Sequence, residues 1–405
     1  MAELLPVDVA LARLLEGEAA LPAEEVGIAD AAWRVLAADI VSRRTQPPFP
    51  ASAMDGYAVR ADDIANLPVT LRVIGESIAG LRFDGAVGAG ETVRIFTGAP
   101  VPDGADTILL QEDAKVVGDG IVEALEATAK GRHIRRAGLD FARDELLLPA
   151  GRQLDPAALS LAAAGNYPRL PVVRKPLVAV LATGTELVAP GTTPGPDQII
   201  ASNGYGVSAL ARAMGAKVLD LGIVPDDMDL IRAAIRRAIE AGADILVTLG
   251  GASVGDHDLV HTALSSEGMT LDFWKIAMRP GKPLMYGRLG GTRVLGLPGN
   301  PVSSLVCSHL FLKPLLARLA GLPFDPDIRD AVLGSDMAAN QQRRDYVRAY
   351  VAHAEHLEGQ FVATPFPVQD SSMLMTLAAA NALIIREPHA PEAKAGDACK
   401  VMLIR

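Results

Sequence analysis

Cysteine and positive charge are scarce in this sequence, and each shortage narrows what the chain can be. The two cysteines, Cys307 and Cys399, are far apart and lack the spacing of a metal site, so neither a disulfide scaffold nor a cysteine-bound metal is expected. We expect both thiols to be reduced, as in a cytoplasmic protein. The 38 Lys and Arg residues against 48 Asp and Glu give a formal net charge of -10, which argues against a general nucleic-acid binder.

A signal peptide and a membrane span are also missing from the pattern. The first residues, MAELLPVDVALARLLEGEAAL, carry Glu3 and Asp8 where a signal peptide needs positive charge. We find no apolar run that approaches the roughly 18 to 20 residues needed to cross a bilayer. With 50% hydrophobic and 21% charged residues over 405 positions, the composition predicts a soluble globular protein. The length predicts roughly two to four domains.

The first half of the chain predicts two domains, one inserted in the other. Up to about Ser42, and again at 154–168, apolar residues recur at helical spacing, and the second stretch has Asp155 as a cap and Pro156 at its first helical position. Short β-rich runs separated by Gly and Pro lie between them. We predict a discontinuous helical domain from residues 1–46 and 137–171, with an inserted β-rich domain at 47–136.

The second half predicts an α/β domain followed by a β domain. Residues 172–325 alternate apolar strands such as LVAVLATG with amphipathic helices such as MDLIRAAIRRAIEAG. This order predicts a parallel sheet covered by helices on both faces, with ligands at the carboxyl ends of the strands. Residues 326–405 are again rich in strands, and we predict a C-terminal β barrel or sandwich.

Three loops that follow strands of the α/β region carry more polar groups than turns need. They read ATGTEL, GGASVGDHD and GLPGNPVSS; in the last, Gly299 allows close backbone approach and Pro301 opens a helix whose free N–H groups can hold an anion. Any one of them is more simply a turn that caps a helix, but three at one edge favour an anion site. The binding candidates are Thr183, Gly184, Ser202, Asn203, Gly250, Gly251, Ser253, Gly299, Asn300, Pro301 and Ser303.

Carboxylates accompany these glycines, which is unexpected for a phosphate site. Asp256 and Asp258 follow the second loop directly, so an anion there requires a cation between the two. We combine Glu186, Asp227 and Asp258 into a predicted divalent-metal site, and a few carboxylates that leave room for water and phosphate suit Mg²⁺. Asp227 taken alone is more simply a helix cap.

A basic segment, WKIAMRPGKPL, follows these loops in the chain. It carries Lys275, Arg279 and Lys282, and the prolines on both sides of Lys282 make the segment stiff and non-helical. The alternative is a solvated basic turn. In a chain with an acidic balance, this local cluster beside an anion loop favours an oxyanion site.

Seven motifs together resemble one known family. SAMDGYAVRADD, RIFTGAPVPDGADTILLQED, IRRAGLD, ATGTELV, GGASVGDHD, FWKIAMRPGKP and GLPGNPVSS occur in order over nearly the whole chain. They are similar to the molybdopterin molybdenumtransferases, the group of bacterial MoeA and the gephyrin E domain. The resemblance implies an elongated homodimer of four-domain subunits, in which a cleft joins the α/β and C-terminal domains of one subunit to the inserted β domain of the other.

The resemblance also implies a reaction and site residues. The family takes adenylylated molybdopterin and molybdate with Mg²⁺, inserts the metal at the dithiolene sulfurs and releases AMP. It implies that Glu186, Asp227 and Asp258 hold Mg²⁺, which leaves Asp256 as a helix cap. Ser253, Gly299, Asn300 and Ser303 would approach the nucleotide phosphates. Arg279 and Lys282, with Ser371 and Arg343 or Arg348, would face molybdate, while the partner subunit would contribute Asp55, Thr97, Arg135 and Asp140.

The sequence departs from the family pattern at two places, and two alternative functions are also compatible with the resemblance. Thr185 stands where the family usually has an acid or Asn, and Asp370, Ser371 and Ser372 stand where it usually has Gly-Ser-His. One rival is a molybdopterin adenylyltransferase, which normally carries GGTG where this chain has GGAS. The other is a non-enzymatic, gephyrin-like scaffold. For the transferase we expect a cytoplasmic protein without nucleic-acid or membrane partners, with transient contacts to the adenylyltransferase and to molybdoenzymes.

Overall fold

The computed structural model describes residues 4–250, 259–354 and 360–405, which form two compact units. The larger unit contains Met1–Glu24, Trp33–Val35 and Val173–Arg405, and the smaller unit contains Glu25–Ala32 and Leu36–Val172. Each unit has hydrophobic cores of its own. The four domain boundaries predicted from the sequence are finer than this division and remain predictions.

The region before residue 47 contains less helix than its apolar pattern predicted. It holds helix α1 (Val7–Leu15) and strands β1 (Ala23–Gly27) and β2 (Ile40–Val41). Trp33 has a φ of 63°, in the left-handed region that an α-helix cannot contain. The N–H groups of Leu36 and Ala37 donate to the carbonyls of Arg152 and Pro171 instead of to a preceding helical turn. The helical prediction was therefore wrong beyond α1, because burial of an irregular segment produced the apolar repeat.

Strands dominate the smaller unit, as predicted for residues 47–136. Six of them form one sheet in the order β7-β4-β6-β5-β9-β8, with β5 and β6 parallel. The strands are β3 (Ala51–Ser52), β4 (Gly56–Val59), β5 (Val69–Ser77), β6 (Glu91–Ile95), β7 (Thr107–Leu110), β8 (Ala114–Gly118), β9 (Ile121–Ala124), β10 (Ile134–Arg135) and β11 (Leu146–Leu148).

Helix α2 (Pro156–Ala164) follows them and begins as the sequence predicted. The Asp155 side chain accepts a hydrogen bond from the N–H of Ala158 at 2.8 Å, and Pro156 occupies the first turn, where no N–H is needed. Strand β12 (Arg169–Val173) comes next.

The α/β region is built on a mixed six-stranded sheet in the order β16-β13-β17-β21-β20-β18. The first four strands are parallel, as predicted, but β20 runs in the opposite direction and pairs antiparallel with both β21 and the edge strand β18. The elements are β13 (Leu177–Thr183), β14 (Leu187–Val188), β15 (Ile199–Ile200), α3 (Asn203–Ala213), β16 (Lys217–Val224), α4 (Met228–Glu240), β17 (Ile245–Leu249), α5 (Leu259–Ser266), β18 (Thr270–Trp274), β19 (Met278–Arg279), β20 (Met285–Leu289), β21 (Thr292–Leu297), α6 (Pro301–Cys307) and α7 (Lys313–Ala320).

Helices cover both faces of this sheet, as predicted. Val178 and Val180 of β13 lie in a core with α1, α3, α6 and α7, while Ala179 and Leu181 lie in a second core with α4 and α5. This alternation follows from the two-residue repeat of a strand. Every strand residue of β17 is buried, as a central parallel strand requires.

The C-terminal region is a closed barrel, so the barrel rather than the sandwich is confirmed. β23 pairs with both β24 and β25, which closes a ring of five strands, β23-β24-β22-β26-β25; β19 adds to β23 from outside the ring. Ala349, Ile384 and Val401 fill its core. The elements are β22 (Ile328–Leu333), β23 (Arg344–Ala354), β24 (Gln360–Pro365), α8 (Leu374–Ala379), β25 (Ala382–Arg386) and β26 (Ala398–Leu403).

One helical stretch in the described part of the chain has the length and composition of a membrane span, which the sequence reading did not anticipate. α6 and α7, joined by a π-helical turn at Ser308–Leu312, give 20 continuous residues, Pro301–Ala320, with a mean hydropathy of 1.3. Of the most apolar part, 72% is buried inside the fold. Phe311, Leu312 and Leu316 lie in the same core as β13, so the stretch is apolar because it is a core helix.

Candidate active-site cleft

A cleft of 1080 Å³ opens at the carboxyl ends of β13, β17 and β21, where the sequence predicted it. The first and third predicted loops line the cleft, and the described part of the second loop contributes Gly250. The predicted residues that line it are Thr183, Gly184, Glu186, Ser202, Asn203, Gly250, Gly299, Asn300, Pro301 and Ser303. Gly251, Ser253, Asp256 and Asp258 lie outside the described residues, so the predictions for them stay untested.

Glycines allow the loops at this end of the sheet to approach one another. Gly184 has a φ of 151°, and a Cβ there would lie 2.5 Å from Oε2 of Glu186, so the Glu186 carboxylate can fold over it only because the residue is glycine. Gly250 has a φ of 94°, and a Cβ there would lie 2.7 Å from the carbonyl oxygen of Thr183. Across the cleft, Nδ2 of Asn203 donates to the carbonyl of Gly299 at 2.7 Å.

Two neighbouring aspartates after β16 have different tasks. Asp227 caps α4, because its Oδ1 accepts hydrogen bonds from the N–H groups of Asp229 and Leu230, each at 3.0 Å. Asp226 lines the cleft together with Glu186. The geometry therefore supports the cap interpretation of Asp227 and brings Asp226, which sequence reasoning missed, into the site. The signal was present, since the chain offers two consecutive acids at the end of a predicted parallel strand.

Thr185 joins the two loops that carry these carboxylates. Its N–H donates to Oδ2 of Asp226 at 3.3 Å, and its Oγ1 accepts from the N–H of Asp226 at 3.1 Å. The hydroxyl at this departure from the family pattern thus holds the backbone of Asp226, while the carboxylate of Asp226 is held by the backbone N–H of Thr185. Among the described residues, no group of three or more His, Cys, Asp or Glu side chains is placed to hold a metal, so Glu186 and Asp226 form an incomplete set.

The predicted basic residues divide between paired and unpaired side chains. Arg279, half exposed at 50%, forms an ion pair with the buried Asp345. Lys282 is exposed next to Pro283, which lines the cleft. Lys275 has a φ of 86°, and its N–H donates to the carbonyl of Leu284. Neither ammonium group forms an ion pair with any residue that the structure describes.

Arg348 is the most unusual cation in the described structure. It is only 1% exposed, yet none of its three guanidinium nitrogens has a hydrogen-bond partner among the described residues. Burial lowers the pKa of this guanidinium from its ordinary value. Arg343, the alternative left open by the sequence, is half-buried and uses its carbonyl to accept from Asn340. A buried charge without a partner is expensive, so Arg348 is the arginine that needs an anion.

Ser371 connects the neighbourhood of Arg348 to the cleft. Its Oγ accepts from Nδ2 of Asn300 at 2.7 Å, and its carbonyl accepts from the N–H of Val302 at 3.1 Å. One of the N–H groups that the sequence predicted to be free at the start of α6 is therefore already used. Ser371 itself is not among the residues that line the cleft, so its predicted contribution stays a prediction, and the Pro301 helix offers less to an anion than expected.

The four residues predicted to act from a partner subunit lie in the smaller unit. Oδ1 of Asp55 accepts from the N–H and Oγ1 of Thr97 at 2.7 and 2.8 Å, and these bonds lower the pKa of Asp55 below its usual value. Arg135 and Asp140 line a separate pocket of 630 Å³ with Arg44, Gln46 and Phe49. Arg44 and Gln46 are further pocket residues that sequence reasoning missed, although RRTQPPFP opens the β-rich region.

Comparisons with known proteins match the whole length of the chain. Residues 5–165 match the MoeA N-terminal region (domain I and II), residues 179–318 match a probable molybdopterin binding domain, and residues 330–404 match the MoeA C-terminal region (domain IV).

Named relatives and a solved structure agree with these matches. A molybdopterin molybdenumtransferase of Haemophilus influenzae is 34% identical over 399 residues, which cover 97% of each chain. Molybdopterin molybdenumtransferase 2 of Mycobacterium tuberculosis is 37% identical over 387 residues, 93% of this chain and 94% of the relative. The crystal structure of the molybdopterin biosynthesis MoeA protein from Pyrococcus horikosii superposes with a TM-score of 0.84 at 30% identity, covering 100% of both chains.

Proposed function

Since the chain belongs to the molybdopterin molybdenumtransferase family of transferases, we propose that it inserts molybdenum from molybdate into adenylylated molybdopterin with Mg²⁺-dependent release of AMP. The observation that carries the proposal is Arg348, a buried guanidinium without a partner among the described residues; the segment that binds its backbone continues to Ser371, which accepts a hydrogen bond from the cleft residue Asn300. An oxyanion such as molybdate supplies the negative charge and the hydrogen-bond acceptors that Arg348 lacks.

The nucleotide phosphates belong at the glycine loops of the same cleft. Gly184, Gly250 and Gly299 line the cleft and place no side chain between their backbone and a ligand, and Asn203 is held against Gly299 by a hydrogen bond of 2.7 Å. Ser303 faces the same space. These groups bind through short polar contacts at fixed positions, so their task is to orient adenylylated molybdopterin rather than to transfer protons.

The carboxylates at one side of the cleft fit Mg²⁺. Glu186 and Asp226 line the cleft and leave room for water and phosphate oxygen, which is the ligand set that Mg²⁺ prefers. We place Asp258, outside the described residues, as the third carboxylate. When bound, Mg²⁺ neutralises the phosphate charge that builds up as AMP leaves. Thr185 holds Asp226 in position for this contact.

The basic residues neutralise a set of reactants that repel one another. Dithiolate, phosphates and molybdate are all negative, so binding them together requires Lys275, Lys282, Arg279 and Arg348 to supply opposite charge. Arg279 already shares its charge with Asp345, whereas the guanidinium of Arg348 has no hydrogen-bond partner among the described residues. We therefore assign molybdate chiefly to Arg348, with Ser371 and Lys282 as neighbours.

The family resemblance further supports a homodimer in which the smaller unit of one subunit completes the cleft of its partner. Asp55, Thr97, Arg135 and Asp140 are the residues we propose for this contribution, and the Arg135 pocket extends to Arg44. We also propose a cytoplasmic location and transient contacts with the molybdopterin adenylyltransferase and with molybdoenzymes.

The decisive test is AMP release from adenylylated molybdopterin in the presence of molybdate and Mg²⁺. We expect AMP release that requires both ions and is lost in Arg348→Met. ATP-dependent adenylylation of molybdopterin by the protein would instead support the adenylyltransferase alternative. A folded protein that binds adenylylated molybdopterin and releases no AMP under any of these conditions would support a scaffold.

A further inference from the structure

The segment from Gln369 to Ser372 is built around Arg348. The Gln369 side chain binds the Arg348 backbone twice, accepting from its N–H at 2.9 Å and donating to its carbonyl at 3.0 Å. Nε2 of Gln369 also donates to the carbonyl of Phe366 at 2.8 Å. These bonds fix the start of the segment on β23, so the next residue, Asp370, is held close to Arg348.

Asp370 lies near Arg348 but makes its hydrogen bonds elsewhere. Its Oδ1 accepts from the N–H of Ser372 at 2.8 Å and from Oγ of Ser372 at 2.6 Å. These bonds, followed by the charge of Arg348, lower the pKa of Asp370 below its usual value, so the carboxylate is ionised at neutral pH. An exposed anion is thus turned toward a serine while a buried cation beside it has no hydrogen-bond partner among the described residues.

We propose that Asp370 and Ser372 form a latch that sets the affinity of Arg348 for its oxyanion substrate. With Asp370 held by Ser372, the guanidinium is left to the incoming oxyanion; with Asp370 released, the carboxylate competes for the same guanidinium. This inference rests on the proposed function, because it takes molybdate as the ligand of Arg348. It makes Asp370 and Ser372 positioning residues rather than catalytic ones.

The latch differs from an ordinary local turn in its dependence on charge. In an ordinary turn of this kind, the Asp side chain accepts a hydrogen bond from the backbone N–H two residues later. Such a bond stabilises the backbone geometry whether or not the side chain is charged. Asp370→Asn retains an oxygen that can accept both hydrogen bonds and removes the negative charge. Ser372→Ala removes one of the two bonds and leaves the charge free to turn toward Arg348. The two variants therefore predict opposite changes in oxyanion binding.

The experiment titrates molybdate alone into the full-length protein by calorimetry. We expect Asp370→Asn to bind molybdate roughly three- to tenfold more tightly, because a like charge near a dianion is removed. We expect Ser372→Ala to bind it more weakly by a similar factor, and the double variant to match Asp370→Asn within about twofold, since no carboxylate remains to be released. The differences should shrink at about 1 M NaCl, where charges on exposed groups are screened.

A control variant and a check of folding distinguish the possible outcomes. Arg348→Met must lose molybdate binding; if it binds as the unmodified protein does, the oxyanion site of the proposed function is wrong and the latch falls with it. If binding depends on Arg348 but Asp370→Asn binds equally or more weakly, the latch alone is wrong. Circular dichroism and thermal unfolding check each variant, and if Ser372→Ala fails to fold, the Asp370→Asn result decides.

Discussion

The two units of the chain differ in whether their buried polar side chains have hydrogen-bond partners. In the larger unit, buried polar atoms of Thr183, Thr248, Trp274, Ser304, Asp345 and Arg348 have no hydrogen-bond partner among the described residues. In the smaller unit, no described residue has such an atom; Ser77 and Thr92, for example, donate to the carbonyls of Pro100 and Ala58 at 2.7 and 2.9 Å.

This difference indicates which buried polar groups are available to a ligand. Folding normally satisfies buried polar groups, because each unpaired group costs about 1 to 3 kcal/mol. Thr183 lines the cleft, and Arg348 is connected to it indirectly, because Gln369 binds the Arg348 backbone and Ser371, two residues later, binds the cleft residue Asn300. The larger unit thus retains unsatisfied groups that a ligand can complete, whereas the described buried polar side-chain atoms of the smaller unit all have partners within the protein.

The largest expected effect comes from Arg348. Arg348→Met should lower molybdate-dependent AMP release by roughly a hundredfold or more, because a buried charge-assisted contact with the oxyanion is lost. Its Tm should stay unchanged or rise, since the native protein no longer buries an unpaired cation. Turnover and thermal unfolding measured on the same preparation check both statements.

Arg293 provides the matched control for this variant. It is also well buried, with 16% of its side chain exposed, but it binds the fully buried Glu18. Arg293→Met should lower the free energy of unfolding by roughly 1 to 3 kcal/mol and leave turnover close to normal. If Arg348→Met destabilises the protein as much as Arg293→Met does, Arg348 is a structural residue and the contrast between the units loses its main support.

The next largest effect is a loss of the Mg²⁺-dependent rate that we expect for a variant of Asp226 and not for a variant of Asp227. Asp226→Asn should reduce the Mg²⁺-dependent rate roughly ten- to a hundredfold, because the cleft loses one of its two described carboxylates. Asp227→Asn should retain the rate, since Asn caps a helix as well as Asp does. A Mg²⁺ titration of AMP release distinguishes the two; equal losses in both variants would contradict the assignment of Asp227 as a cap only.

A smaller effect on stability is expected when two buried threonines, one from each unit, are each replaced by valine. Thr107 of the smaller unit donates to the carbonyl of Ala129 at 2.8 Å, so Thr107→Val should lower the free energy of unfolding by about 1 kcal/mol. Thr183→Val should leave stability unchanged and weaken binding of adenylylated molybdopterin, because its hydroxyl has no partner among the described residues. Denaturant unfolding and ligand titration test the pair, and a stability loss at Thr183 equal to that at Thr107 would erase the difference.

The smallest effect concerns Asp55, whose pKa is lowered by its bonds to Thr97. A carboxylate with a lowered pKa in the folded state stabilises the protein above its unfolded pKa of about 3.9. That stabilisation should disappear as the pH falls through the lower, folded value. Asp55→Asn should therefore be less stable than the unmodified protein at about pH 6 and nearly equal to it at about pH 2. A gap in stability that stays constant over this range would show that the charge of Asp55 is not involved.

The sequence was most informative where chain order and strand patterning decide the structure. The parallel strands, the helices on both faces, the α2 cap at Asp155 and the loops at the cleft were all predictable, because each depends on residues that lie close together in the chain. The reversed strand β20 and its antiparallel pairings with β18 and β21 were not, since apolar strands carry no mark of their direction.

The parts that were missed depend on contacts between distant residues. Val35 and Leu36 are buried in an irregular segment, and no local pattern distinguishes this from a helix face. Which of Asp226 and Asp227 reaches the cleft depends on the backbone N–H groups of α4 and on Thr185, 41 residues earlier in the chain. The lack of hydrogen-bond partners for the Arg348 guanidinium, among the described residues, is a property of the folded barrel that the sequence does not contain.

Ser371 has one further consequence, which follows from the two bonds it makes to Asn300 and to the N–H of Val302. The loop beside Arg348 and the start of α6 share these bonds, so a ligand that displaces one of them changes the other. Thermodynamic linkage then requires reciprocity: if molybdate tightens nucleotide binding by some factor, the nucleotide tightens molybdate binding by the same factor. Loading of the two substrates would be cooperative, and the order in which they arrive would not change the final affinity of the pair.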